Sequence, residues 1–128
     1  MFKDTPTFSG FSVKDLAAAK EFYSQVLCVD VEEGKMDDLR LKHKGGEVFL
    51  YKKDSHEPAA FTVLNFVVDD IDKAIDELEA KEVMMERYEG LPAPQDEKGV
   101  LRGRAANMGP DIAWFKDPSG NILAVLQN

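Results

Sequence analysis

One order of local patterns occurs twice along this chain: a strand, a helix, then three further strands. Residues 7–13, TFSGFSV, are aromatic and β-branched with small residues between, which suits a buried strand. Asp15 stands where a helix N-cap belongs. Leu16, Ala19, Phe22, Tyr23, Val26 and Leu27 recur at steps of three and four, predicting an amphipathic helix over 16–27. Val29 to Glu33 resumes as a strand, Gly34 with Asp37-Asp38 marks a turn, and Leu39 to His43 alternates. Gly45-Gly46 then turns the chain into a second alternating run, Glu47 to Lys53, its hairpin partner.

The second half keeps that order. FTVLNFVV, 61–68, reads as a strand, and Asp70 caps a helix running through Ile71, Ile75, Leu78 and Glu79. Val83 to Tyr88 reads as a strand, and DIAWFKDP followed by SGNILAVLQ, 111–127, as a closing hairpin. A repeated supersecondary unit constrains the fold more than any single motif. It predicts an α+β architecture of two βαβββ modules, about 5–55 and about 60–128, in a single domain spanning 1–128. His56 to Ala60, with Pro58, is the seam. Residues 89–110, EGLPAPQDEKGVLRGRAANMGP, have no counterpart in the first module. Loops this long serve as lids or binding loops, or are disordered or decorative; the residues leave these open.

Composition narrows the function. The 128 residues are enough for one self-sufficient core, and 44% hydrophobic with 31% charged is an ordinary globular balance. A net charge of −8 excludes nucleic acid, which needs clustered Lys and Arg. An acidic surface serves solubility and would also gather cations. No apolar run is long enough to span a bilayer, so no membrane partner is expected. The opening MFKDTPTFSG has no basic-then-apolar pattern, so a secretory signal is not expected. A lone cysteine, Cys28, leaves no internal disulfide and points to a reduced, cytoplasmic setting.

VKDLAAAKEFYSQVL in the first module, with FVVDDIDKAIDEL and FKDPSGNILAVL in the second, resembles the vicinal oxygen chelate superfamily. That group includes glyoxalase I, extradiol dioxygenases, fosfomycin-inactivating thiol transferases and bleomycin-binding resistance proteins. The resemblance runs from about Thr7 to Gln127 and rests on the DLAAAKEFY helix and the DPSGN turn taken together. It implies two βαβββ units forming a curved mixed-sheet cup with helices on the outer face. It also implies a small-molecule site in the cup and a homodimer.

Metal-using members hold a divalent ion through His and carboxylate ligands, donors that leave positions open for substrate. The resemblance places one ligand on the first and one on the last strand of each module. Those positions fall on Phe8 and Val63, and, four residues beyond Gly46 and Gly120, on Leu50 and Ala124. The step from Leu50 to Ala124 exceeds that from Phe8 to Val63 because the unmatched segment intervenes. All four residues are apolar. A slip of one residue moves a strand's side chains to the opposite face, so only slips of two stay in the cup. These reach Pro6, Gly10, Val48, Lys52, Phe61, Asn65, Ile122 and Leu126, with no His or carboxylate among them. Neither a metal nor another cofactor is expected.

The remaining chemistry is sparse. His43 and His56 lie in no ligand cluster, and no phosphate-cradling Gly-rich loop is present. Asp37-Asp38 and Asp69-Asp70 read as turn and cap residues. Cys28 follows a helix C-terminus, where nothing lowers a thiol's pKa, and is expected as a packed free thiol where relatives often have glycine. Arg102 and Arg104 could meet a ligand carboxylate or phenolate, or could bridge to surface acids. Trp114 and Phe115 face opposite sides of their strand, so one lies in the cup, where Trp114 could stack on a flat or cationic ligand. Asn65 could orient a ligand beside Val63, given hydrogen-bond partners.

These readings converge on a metal-independent small-molecule-binding protein with an apolar and aromatic cup closed by the long loop. Its ligand-binding residues would be Phe8, Leu50, Val63, Asn65, Arg102, Arg104, Trp114 and Ala124, and its ligand hydrophobic or cationic. Three alternatives stay open. One is a metal-free lyase or isomerase using Tyr88, Asp96, Glu97, Arg102 or Arg104. Another is a metal-dependent glyoxalase-like enzyme in a different register. The third is a module whose cup is filled by its own side chains and which acts through protein contacts.

Overall fold

The repeat folds as two units with the same topology. The structure, a computed structural model, describes residues 1–128. Backbone contacts divide them into Met1–Glu57 and Pro58–Asn128. Each unit is a four-stranded mixed sheet with one helical segment.

In the first unit β1 (Ser9–Val13) leads to α1 (Leu16–Glu21), and β2 (Asp30–Glu33), β3 (Asp38–His43) and β4 (Gly46–Lys52) follow, in spatial order β1-β4-β3-β2. The Asp15 carboxylate caps α1 by accepting from the Ala18 N–H at 3.0 Å. The periodic run continues past α1 as a π-helical turn, Phe22–Val26, which buries Phe22 and Tyr23 together. It ends at Cys28, whose φ of 57° is left-handed, the conformation glycine adopts without penalty. The thiol is exposed rather than packed, because the chain reverses there and carries it outward.

The second unit repeats this with β5 (Thr62–Val67), α2 (Ile71–Ala80), β6 (Leu101–Arg102), β7 (Asp111–Lys116) and β8 (Ile122–Gln127), in order β5-β8-β7-β6. Asp70 caps α2 through the Lys73 N–H at 3.1 Å, and Ile71 and Ile75 are its buried face. The expected strand over Val83 to Tyr88 does not form; the fourth strand is the two-residue β6, from within 89–110. A side chain takes the hydrogen bonds a ladder would have used. Gln95 accepts from the Tyr88 N–H at 2.8 Å and donates to Glu86 O at 2.9 Å and Gly99 O at 2.7 Å. Arg87 donates to the carbonyls of Asp96 and Glu97. The segment therefore satisfies much of its backbone by folding onto itself, and keeps one ladder-like bond to β7, from the Glu86 N–H to Trp114 O at 2.7 Å. No helix is long and apolar enough to cross a membrane.

Candidate functional site

Strand pairing decides which side chains share a face. In the second unit Gln127 accepts from the N–H of Ile71, the first residue of α2, at 3.0 Å. Gln127, Val125 and Leu123, with their partners Asp111, Ala113 and Phe115, therefore face the helix. Phe115 is buried among them. Ile112, Trp114 and Lys116, opposite Leu126, Ala124 and Ile122, stand on the other, open face. Of the two neighbouring aromatics it is Trp114 that takes the open face.

The Trp114 indole donates from Nε1 to Thr62 Oγ1 at 3.2 Å. Because β8 lies between β7 and β5, the ring reaches Thr62 only by crossing β8, where its directly opposed neighbour is Ala124. Ala124 has 0% exposure although it faces away from the helix; a methyl group is what fits beneath the ring. Tyr88 meets the indole edge-on, with ring centroids 5.6 Å apart and planes at 82°. Burial, with Glu86 nearby, pushes the Tyr88 phenol above its ordinary pKa. Asn65 pairs with Ala124, which sets it on the same face beside the indole. Val63 is the extra residue of a β-bulge between Thr62 and Leu64 and has no partner across the ladder.

The two arginines go elsewhere. Arg102 pairs with Asp111 across β6 and β7 and so faces the helix. Its guanidinium grips both Asp72 oxygens, at 2.7 and 3.1 Å, and donates to Asp96 at 2.8 Å. Lys98 adds ion pairs to Asp72 at 3.1 Å and Asp76 at 3.0 Å. The hydrogen bonds from Arg102, then from Lys98, hold the Asp72 carboxyl down at about 2. Burial opposes ionisation of Asp96, but hydrogen bonds from the Val100 N–H, Arg102 and the Lys98 N–H outweigh it and lower its pKa. Arg104 lies 3.8 Å from Asp111, and its N–H bonds the same carboxylate. This network ties the long segment to α2 and engages both arginines in the bridges to carboxylates that their sequence context left open beside contact with a ligand.

In the first unit Phe11 leans on Tyr23, and its partner Leu50 is buried on that helix-facing side with Leu39. Leu50 is therefore on the face opposite to the one a count from the turn glycine places it on, because the two hairpins turn differently. His43 pairs with Gly46 around two residues, whereas Lys116 pairs with Ile122 around five. Its open-face counterpart is Phe49. Phe49 lies opposite Gly10, where a Cβ would stand 3.0 Å from the Phe49 carbonyl oxygen. Phe49 meets Phe8 edge-on at 6.2 Å and stacks with Tyr51 at 5.9 Å. Phe8 is 72% exposed. Arg40 and Glu32 share the row of Phe49, and Lys42 pairs with Glu32 beside them. Phe49 and Tyr51 were legible only once the hairpin register was known.

His56 joins Ser12 by a 2.6 Å hydrogen bond. A hollow of about 540 Å³ lies at the start of α1, lined by Lys14, Asp15, Asp37 and Lys52. It is on the first unit alone and touches none of the aromatic residues above.

A family model described as the Glyoxalase/Bleomycin resistance protein/Dioxygenase superfamily matches residues 8–125. The chain belongs to that superfamily. Among solved structures it is similar to the fosfomycin resistance protein FosX of Listeria monocytogenes, at 14% identity over 98% of this chain and 93% of that one, with a TM-score of 0.70. It is also similar to lactoylglutathione lyase of Agrobacterium tumefaciens, at 20% identity over 98% and 94%, TM-score 0.67. The antibiotic-binding protein TnmS3 of Streptomyces sp. CB03234 matches at 21% identity over 97% of both chains, TM-score 0.66. At these identities the likeness is one of fold. No curated protein sequence matches the chain significantly.

Superfamily membership raises the question of a divalent ion. The positions at issue carry Phe8, Phe49, Val63 and Ala124, whose side chains contain no nitrogen or oxygen. No group of three His, Cys, Asp or Glu comes together elsewhere in metal-binding geometry. The residues present do not fit a metal.

Proposed function

We propose that this superfamily member binds hydrophobic or cationic small molecules without a metal on the open face of either sheet, at Phe8 and Phe49 in the first unit and at Asn65 and Trp114 in the second. The observation that carries this reading is the Trp114 indole lying across Ala124. The position where a relative would place a metal ligand is roofed by an aromatic ring, tethered by Thr62 and flanked by Tyr88. Ligand sites are mostly apolar with a few placed polar groups, and these faces have that make-up. The exposed rings of Phe8 and Phe61 favour a homodimer, and a single exposed thiol suits a reducing cytoplasm.

Three measurements test the reading. Elemental analysis of purified protein should find no stoichiometric divalent ion; one ion per chain would sink it. A thermal-shift screen across metals, thiols, cationic drugs and apolar aromatics should raise the melting temperature with organic ligands alone, and a shift with metal alone would overturn it. Light scattering should give twice the chain mass.

A further inference from the structure

Resting on that reading, we infer that the open face of the second unit recognises a neutral, planar heteroaromatic ligand with a neighbouring hydrogen-bond donor and acceptor on one edge. The ligand stacks on Trp114 and is read by Asn65. Three observations on that face carry the inference together.

The first is the mounting of the indole. Thr62 holds Nε1 and Tyr88 packs against the ring in a T-shaped contact, so its orientation is set from two sides before any ligand arrives. The ring remains part-exposed, and an immobilised ring offers stacking surface at little entropic cost.

The second is charge. The open-face residues of β5, β7 and β8 are Thr62, Asn65, Val67, Ile112, Trp114, Ile122, Ala124 and Leu126, with Lys116 the sole ion among them. Lys116 is already paired with Glu86 at 3.2 Å, and Arg102 is held on the helix side. A phosphonate or carboxylate would be desolvated here with no free cation to receive it. A cationic ligand would find the ring but no free carboxylate.

The third is Asn65. Its amide is exposed beside the indole and hydrogen-bonds no other residue. A carboxamide presents one donor and one acceptor side by side. It therefore matches a lactam or amino-imine edge in two hydrogen bonds, as Asn does with adenine.

The test uses three tricyclic probes of one shape, measured by equilibrium dialysis against the full chain: the lactam 6(5H)-phenanthridinone, cationic N-methylphenanthridinium and anionic phenanthrene-9-carboxylate. The lactam should bind one per chain, at least about tenfold more tightly than either ion, and should quench the single tryptophan. Asn65→Leu, at an exposed position that leaves the fold intact, should cut lactam affinity about tenfold, the worth of lost paired hydrogen bonds. It should leave the weaker ionic probes unchanged. Tighter binding of either ion, binding indifferent to Asn65→Leu, or no binding of the lactam overturns the inference. If the lactam fails while another organic molecule in the thermal-shift screen binds, this inference falls and metal-free binding stands. If the ions and all organic molecules fail too, both fall.

Discussion

Trp114 and Ala124 face each other across β7 and β8, and the indole of the first lies over the methyl of the second on its way to Thr62. Size at position 124 and ring position at 114 are thus one structural fact. A carboxylate at 124, as a metal-binding relative would carry, cannot coexist with the crossing indole.

Ala124→Glu should therefore be destabilising by about 3 kcal/mol, combining overpacking with a charge in a fully buried place. Urea unfolding measures the loss, and Trp114 emission should shift to the red as the ring is expelled. Unchanged emission would show that the ring does not lie over residue 124.

Thr62→Val keeps the shape and removes the acceptor for the indole N–H. The expected loss is about 1 kcal/mol. Acrylamide should quench Trp114 more readily, because the ring loses its tether.

The Arg102 network gives an acid dependence of known sign. Asp72 ionises at about 2 in the folded chain against an ordinary 3.8. A folded value below the unfolded one stabilises fully above about pH 4, and that contribution is lost as the pH falls through 2. Arg102→Met should flatten stability between pH 4 and 2 and lower it by about 2 kcal/mol at neutral pH, since Asp96 and Asp111 lose their guanidinium. Denaturation across that window checks both. Ligand binding to the open face should persist, because Arg102 lies on the other side of the sheet.

Gln95→Ala removes three hydrogen bonds to backbone groups around Tyr88. About 2 kcal/mol of stability should go. Amide exchange at Tyr88 should rise well before that of Glu86, whose N–H is held by Trp114 O, and before that of β7, and Tyr88 should leave the indole.

Cys28→Gly should stabilise by about 0.5 to 1 kcal/mol, because glycine takes a φ of 57° without the strain a side chain carries there. In the unaltered chain the exposed thiol should react with a thiol reagent without unfolding.

Much of this protein is determined by local sequence alone. The repeated order of strand, helix and hairpin and the caps Asp15 and Asp70 follow from periodicity and turn chemistry, which act within a few residues, while the superfamily was legible as a resemblance carried by the DLAAAKEFY helix and the DPSGN turn. Asn65, Trp114 and Ala124 were also within reach, since alternation along a strand and the DPSGN turn set their relation.

What the tertiary structure decided is everything that depends on a partner far along the chain. A shorter hairpin turn sends Leu50 to the helix and Phe49 to the open face, and a bulge takes Val63 out of register. Gln95 converts an expected strand into a folded segment by capturing its backbone hydrogen bonds. Arg102 and Arg104, for which the sequence left a ligand or nearby acids open, bridge to Asp72, Asp96 and Asp111 because those carboxylates come within reach only when α2, β6 and β7 assemble. The Trp114 indole covers Ala124 for the same reason. Spacing along the chain gives a residue its face, but which neighbour reaches across to it is a property of strand order, which no local pattern contains.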